Sequence, residues 1–506
     1  MRGRGETGRR SRLKIGFPWS AGSSPAVRTI IVAGAALLAT GCDRRADTGA
    51  VVVSAIGSPP TLANPDLRAI DEPSRALIDA TAQGLVRFDA AGQIEPGLAE
   101  RWTVIDDGMT YIFRLRRATW SDGRPVSAEE VAARLKRHLA PTSRNPLVPF
   151  LSAIDDVVVM TPEVIEVRLT RPRPDLLNLF AQPEMALLRT RPVSGSGPFR
   201  MVQPGPSPLL RPAVDPDRDE ADEADRGARP ERDVRLIGER AALAVTRFAA
   251  KRSDMVTGGR FSDWPLLSAA GVAPANIKVD PAAGLFGLAF TSRDGLLADA
   301  GARDAISASI DRTAVLKSVR SQWLPTETLL PDQLDSATPP SVPAWVALPL
   351  AQRRQAAAAL VRAWGKPVRL RISLPAGPGA TLLFTQLATN LAAIGIAADR
   401  VAADAPAELR LIDEVAPYDS GRWYLQTACA PCGPEASAAL EAARLAPTLP
   451  ERSRQVAVAD ATLTRDAAFI PLGRPLRWSL VALRLRLWTA NARAAHPLNR
   501  LRLDTR

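Results

Sequence analysis

Histidine is almost missing from this chain: 506 residues contain two, His138 and His496. There is also no Gly-x-Ser-x-Gly elbow, so no nucleophile and base come together as a hydrolase requires, and no catalytic residue is assigned. Cysteine occurs three times, at Cys42, Cys429 and Cys432. Two thiolates make half a zinc site, and the two imidazoles lie far apart in sequence, so no metal ligand and no cofactor is expected. Long apolar runs are lacking too: Ile30 to Thr40 is about half the ~20 residues that a bilayer span needs. No block of bases alternates with aromatics, which sets nucleic acid aside as a partner. The glycine-rich phrase Ser194-Gly195-Ser196-Gly197-Pro198-Phe199 has no following Lys-Ser/Thr and contains a proline, which excludes a phosphate-cradling loop.

What is present describes an exported globular protein. Hydrophobic residues make up 46% and charged residues 23%, ordinary for a soluble fold, and the length suffices for two or three domains. The net charge is +12, but before Cys42 seven bases stand against Glu6, leaving only +6 on the remainder. Residues 1–42 read as a signal peptide: a basic start, the short apolar core, then Leu38-Ala39-Thr40-Gly41-Cys42. Small residues ahead of a cysteine suit lipoprotein processing, in which the Cys42 thiol takes a diacylglycerol. Several acyl chains, each adding ~0.8 kcal/mol per buried CH₂, would hold the protein on a membrane.

The mature chain opens with a strand candidate, Val51-Val52-Val53, and a proline-rich extended segment through Ser58 and Thr61. From Leu85 to Val131 short strand-like runs are separated by Ala-Gly and Asp-Gly turns. Tyr111, Phe113 and Leu115 alternate with Arg114 and Arg116, as in a half-buried strand. Ser127 and Glu130 form a capping box that starts a helix at Ala128, burying Val131 and Leu135. Further on, Val368 to Leu374 alternates and Phe384, Leu387, Leu391 and Ile394 form a helical face. Ile396 to Val401 completes a strand–helix–strand unit and so predicts a parallel pair. Glu408 to Ile412 adds another strand. Asp215 to Asp233 is dense in both charge signs and reads as an exposed loop.

Several phrases in the first of these blocks occur together in one family. Leu85-Val86, the Pro96 to Trp102 run PGLAERW, Asp106-Asp107-Gly108 and the Trp120 to Pro125 run WSDGRP stand in order before a helix. Arg303, Ala305, Ile310, Asp311 and Arg312 match a later phrase. The chain resembles the family 5 bacterial extracellular solute-binding proteins, which feed ABC importers for peptides and related solutes. The resemblance implies an α/β fold, a periplasmic-binding-protein-like clamshell of type II in its large three-domain variant, with two lobes and a hinge. It places 43–66, 190–284 and 470–506 in domain I, 67–189 in domain II and 285–469 in domain III. The Asp311-Arg312 pair, at a helix end, is structural.

In peptide-binding relatives an Asp followed four residues later by Pro pairs with the peptide ammonium, and Asp413 and Pro417 match that spacing. Asp413 is therefore the first ligand candidate, with a turn carboxylate capping its own backbone as the plainer alternative and Asp419 next if the register is shifted. Glu414, Val415, Ala416, Tyr418 and Trp423 flank it, and Ser58, Thr61 and Trp120 join the expected binding set. Trp423 and Tyr424 either wall a pocket or pack inside, core being the better single-residue reading. Cys429 and Cys432 read as a local disulfide, with a free or redox-active pair and a metal site as alternatives. The partners implied are a small-molecule or peptide ligand, an ABC permease in the inner membrane and the membrane itself through the lipid anchor, the protein being a monomer. The location implied is the periplasmic side of the envelope, with Asp43 favouring the inner membrane. A receptor or scaffold lipoprotein that no longer transports is the alternative.

Overall fold

Val51–Ile56 (VVVSAI) is apolar almost throughout, as a strand covered on both faces must be. Helix Glu72–Thr81 packs Leu77 and Ala80 against Val51, Val53 and Ala55. The helix Ala241–Ala249 contributes Ala244, Val245 and Phe248 to a second cluster with Val256 and Leu480. The one polar interruption is satisfied: buried Ser54 Oγ donates to Glu239 Oε1 at 2.7 Å, and Arg247 holds that carboxylate at 2.9 Å. The computed structural model describes residues 49–190, 193–213, 230–332 and 334–502. All lie in one compact unit beginning at Ala46. The signal segment, Cys42, Asp43 and most of the charged stretch 215–233 fall outside the described residues.

Three main sheets carry the chain. In the first, seven strands run in the order Phe199–Gln203, Leu209–Pro212, Val234–Glu239, Val51–Ile56, Met255–Arg260, Arg477–Val481 and Ile277–Asp280. The central three are parallel and their outer neighbours antiparallel. The second sheet is antiparallel, ordered Ala99–Ile105, Thr110–Leu115, Val164–Leu169, Ile154–Thr161. Tyr111, Phe113 and Leu115 face its core while Arg114 is exposed. The helix Ala128–His138 covers this sheet and buries Val131 and Leu135. Only half of the expected capping box forms. Ser127 Oγ accepts from Glu130 N at 3.3 Å, but the Glu130 carboxylate turns away and accepts from Trp120 Nε1 at 2.7 Å.

The third sheet runs Ile396–Ala402, Val368–Leu374, Leu409–Val415, Gly284–Phe290, Phe469–Gly473. Its first two strands are the parallel pair that the strand–helix–strand pattern predicts, in register from Val368↔Ile396 to Leu374↔Ala402. Leu409–Val415 extends three residues beyond Ile412, so Asp413, Glu414 and Val415 are strand residues paired with Gly284 to Phe286. Helices Gly421–Ala428, Pro434–Leu445 and Leu449–Asp466 cover a region that had no legible periodicity. Asp311 sits between two helices rather than at the end of one, and caps the second through Ala314 N. Buried Arg312 donates to Pro471 O at 2.7 Å and ties that helix to the third sheet.

Two sequence-based boundaries shift. Helix Glu72–Thr81 belongs to the first sheet rather than to the second region, because its apolar face fills the first sheet's core. Phe469–Gly473 pairs with Phe286 to Ala289 in the third sheet, so the return to the first sheet comes at Arg477 and not at residue 470. The second sheet and the helices of the third region share one continuous apolar cluster, in which Phe150 meets Tyr418 edge-on at 5.7 Å. No helix among the described residues is long and apolar enough to cross a membrane.

The phrase Ser194 to Phe199 is a seal between regions. Gly197 N donates to Thr81 O at 3.0 Å and Gln83 Nε2 to Ser196 O at 2.7 Å. A Cβ on Gly197 would stand 2.4 Å from Ala82 N, inside backbone that cannot yield. Gly197→Ala should cost about 1–3 kcal/mol by overpacking. The check is a lower urea midpoint at unchanged m-value; an unaltered midpoint would show that the loop is not seated on the helix.

Candidate functional site

Between the three regions lies a cavity of about 700 Å³. Its walls come from the first sheet's edge, helix Glu72–Thr81, the second region at Pro146 to Phe150 and Gln182 to Glu184, and the third sheet at Asp413 to Pro417. Eight carboxylates and four guanidiniums line it, an excess of negative charge. The size lies within the ~300–1,000 Å³ range of small-ligand sites.

Most of these charges are already engaged. Arg75 pairs with Glu184. Asp280 accepts from Asn491 N at 3.0 Å and lies 3.1 Å from His496 Nε2. Asp71 caps its helix through Ser74 N and also accepts from Ser58 N, both at 3.2 Å. Arg493 reaches Ala416 O at 3.1 Å and pairs with Asp419. Asp413 is held by a fork: Arg477 Nη1 donates to its Oδ1 at 2.7 Å and Nη2 to its carbonyl at 2.8 Å. An ammonium reaching Asp413 would therefore share the carboxylate with a buried guanidinium.

Asp79 is different. It lies one turn after Arg75 on the same helix, the spacing of a surface ion pair, but Arg75 has turned to Glu184. The Asp79 carboxylate has no hydrogen bond and no ion pair among the described residues. Burial pushes its pKa up from 3.8 to about 6, and the positive charges of Arg87 and Arg75 offset this only in part. Glu414, also without a bonded partner among the described residues, is pushed up by burial and by the neighbouring Asp413. Opposite in sign is Arg260, about half exposed to the cavity, whose guanidinium makes no closer ion-pair contact than 4.0 Å to Asp413. The cavity thus offers a strong acceptor for a cation at Asp79 and a little-engaged donor fork at Arg260.

The expected binding set divides accordingly. Asp413, Glu414, Val415, Ala416 and Trp423 all line the cavity. Ser58, Thr61, Trp120 and Tyr418 do not. Ser58 and Thr61 are exposed, with Thr61 bonded to Ser74 and Arg68. Trp120 is buried against Glu130, with Arg189 over its ring at 6.0 Å. Tyr418 is fully buried behind Phe150. Tyr424 is likewise core. Cys429 and Cys432 are joined as a disulfide with Cα atoms 5.0 Å apart, away from the cavity lining. No group of three or more His, Cys, Asp or Glu able to hold a metal occurs among the described residues. Asp79 was missed because Arg75-x-x-x-Asp79 reads as an ordinary solvent-facing pair; nothing local says that this helix face closes a cavity.

A carboxyl with a raised pKa binds its proton more tightly in the folded than in the unfolded state. Its contribution to stability is therefore greatest below pH 3.8 and is lost as the pH rises through about 6. Asp79→Asn removes that loss. The ligand-free variant should be more stable than the parent by about 1–3 kcal/mol at pH 7.5, with the difference shrinking towards zero at pH 4. Denaturant melts at the two pH values check this; an equal difference at both would show that Asp79 is not desolvated.

The comparisons agree with this architecture. Residues 93–414 match the family model described as bacterial extracellular solute-binding proteins, family 5 Middle. The chain is 41% identical over 71 residues to the probable deoxycholate-binding periplasmic protein YgiS of Escherichia coli, covering 14% of this chain and 13% of that one. To the glutathione-binding protein GsiB of Salmonella choleraesuis it is 32% identical over 162 residues, 31% of each chain. These curated relatives are thus matched over less than a third of their length. Among solved structures, the murein tripeptide binding protein MppA of Escherichia coli superposes with a TM-score of 0.75 at 19% identity, over 89% of this chain and 97% of that one. That likeness establishes the type II clamshell fold. With the family model matching well over half of its residues, the chain belongs to the bacterial extracellular solute-binding proteins of family 5, which bind solutes rather than transform them.

Proposed function

We propose that this protein is the extracytoplasmic binding component of an ABC importer and that it takes a small peptide or another compact solute carrying a free ammonium group. The observation that carries this reading is the Asp79 carboxylate, half-buried and without a bonded partner among the described residues, in a net-acidic cavity. A half-buried carboxylate without a partner costs stability, and an ammonium that reaches it gains a charge-assisted hydrogen bond stronger than the same pair in water. Arg260 supplies the complementary donor for a carboxylate at the other end of a zwitterion. Glu414 and Asp413 border that end and disfavour a second negative charge there.

Opening and closing the cleft is a matter of two short connections. The chain passes from the first sheet to the third through residues 281–283 and back through 474–476. On this reading these segments are the hinge, and domain III swings as one lobe against domains I and II. Gln182 Nε2 donating to Pro417 O at 2.8 Å and the Phe150–Tyr418 contact are then closure contacts. The same reading takes Cys42 as a lipid anchor and the permease of the inner membrane as the acceptor of the cargo, at the periplasmic face.

Thermal melting against di- to pentapeptides and their N-acetylated forms tests the proposal. Free-ammonium peptides should raise Tm and acetylated ones should not. Asp79→Asn should weaken binding at least tenfold, about 1.4 kcal/mol or more. Equal shifts with acetylated peptides, or unchanged affinity in the variant, would sink the reading.

A further inference from the structure

Behind the cavity wall lies a second charged cluster that plays no part in the cavity's lining. Arg173, Arg422 and Arg452 are 6%, 4% and 5% exposed, and Tyr418 is 0% exposed. The Arg422 guanidinium stands over the Phe150 ring at 5.8 Å and makes no hydrogen bond among the described residues. Arg452 uses one nitrogen, which donates to Ser420 Oγ at 2.7 Å and lies 2.9 Å from Asp335; its Nε and Nη1 have no acceptor. Tyr418 Oη, beside Arg173, has no acceptor for its proton. Arg173 is satisfied through Phe150 O at 2.7 Å.

We propose that this cluster is a buried binding site for one small monovalent anion of chloride size, held by Arg422, Arg452 and Tyr418. Three guanidiniums face two carboxylates, Asp175 at 3.9 Å from Arg452 and Asp335, so the cluster carries one uncompensated positive charge. Unsatisfied buried donors of this kind are expensive, and a buried charge without a counterion more so. One chloride balances the excess of these three guanidiniums over their two carboxylates and accepts from the idle N–H and O–H groups. Burial and the nearby Arg173 and Arg452 press the Arg422 pKa down to about 10, a cost that an anion relieves. Of the remaining charged neighbours, Arg444 pairs with Glu441, whereas Arg171, bonded among the described residues only to the neutral Ser152 and Thr170 hydroxyls, adds further positive charge beside Arg173 and Arg452. Phe150 and Pro417 separate the cluster from the solute cavity, which they line.

The location gives the ion a consequence. Phe150, Arg173 and Asp175 come from the second region and Tyr418, Arg422, Arg452 and Asp335 from the third, so the anion bridges the two faces that meet beside the cavity. This rests on the cluster alone and holds whatever the cavity binds.

The test compares melting of the full chain in sodium chloride and in sodium gluconate at equal ionic strength. Chloride should raise Tm along a saturating single-site curve, and Arg422→Met should abolish the difference between the salts. Identical Tm values for the parent chain in both salts would overturn the proposal. Because Arg422→Met also alters packing against Phe150, crystals of the parent chain grown in bromide give an independent readout. An anomalous peak within hydrogen-bonding reach of Arg422 and Arg452 is expected, and bromide confined to the surface would refute the site.

Discussion

One ion pair joins the two sheets on which the cavity is built. Arg477 begins the first sheet's returning strand and Asp413 lies near the end of a strand of the third, and the guanidinium holds both the carboxylate and the carbonyl of that residue. Both side chains are nearly dry. Removing Arg477 would leave Asp413 with only the 4.0 Å approach of Arg260, and removing Asp413 would leave a largely buried guanidinium without its carboxylate. Together with the ladder to Gly284–Phe290 and the Arg493 bond to Ala416 O, this link sets where the cavity wall from Asp413 to Pro417 stands against the first sheet.

The link also explains why the ligand-facing charges are distributed as they are. Of the arginines in the wall, three are committed to protein carboxylates or carbonyls, and the carboxylates left over define the electrostatic character of the space. A family built on one scaffold can therefore change what it accepts by changing which acids remain unpaired, without altering a strand. Asp79 and Arg260 sit on elements of the first sheet, whereas Asp413 and Glu414 come from the third, so the charges that line the cavity are shared between two regions.

How much of this was legible beforehand follows from the range of each interaction. Strand periodicity at Tyr111 to Leu115 and Val368 to Leu374, and the parallel partner of the latter, depend on local alternation and were readable. Helix Glu72–Thr81 was not foreseen, nor were Pro434–Leu445 and Leu449–Asp466, whose buried faces (Ala436, Leu440, Ala443 and Val456, Ala459, Leu463) recur at helical spacing but are half alanine, too weak a contrast to stand out. The family phrase at Trp120 identifies the fold, but its indole serves Glu130 and the helix start, so strength of resemblance did not mark the cavity lining. Asp413 was singled out because its spacing to Pro417 matches the family pattern; that Arg477 engages it could not be read, since the two are 64 residues apart. Asp79 was invisible for the same reason: its solitude is created by Glu184, which is distant in sequence and draws Arg75 away.

The third sheet is entered after Asp280 and left before Arg477, and those two residues are register partners on adjacent antiparallel strands. Chain departure and return are thus a single pair apart. Some two hundred residues hang from the first sheet as an insert whose removal would leave ends that one tight turn could join. Such an insert is a natural cassette. Exchange at this junction would replace the Asp413 to Pro417 wall and Trp423 in a single event while leaving the seven-stranded platform intact.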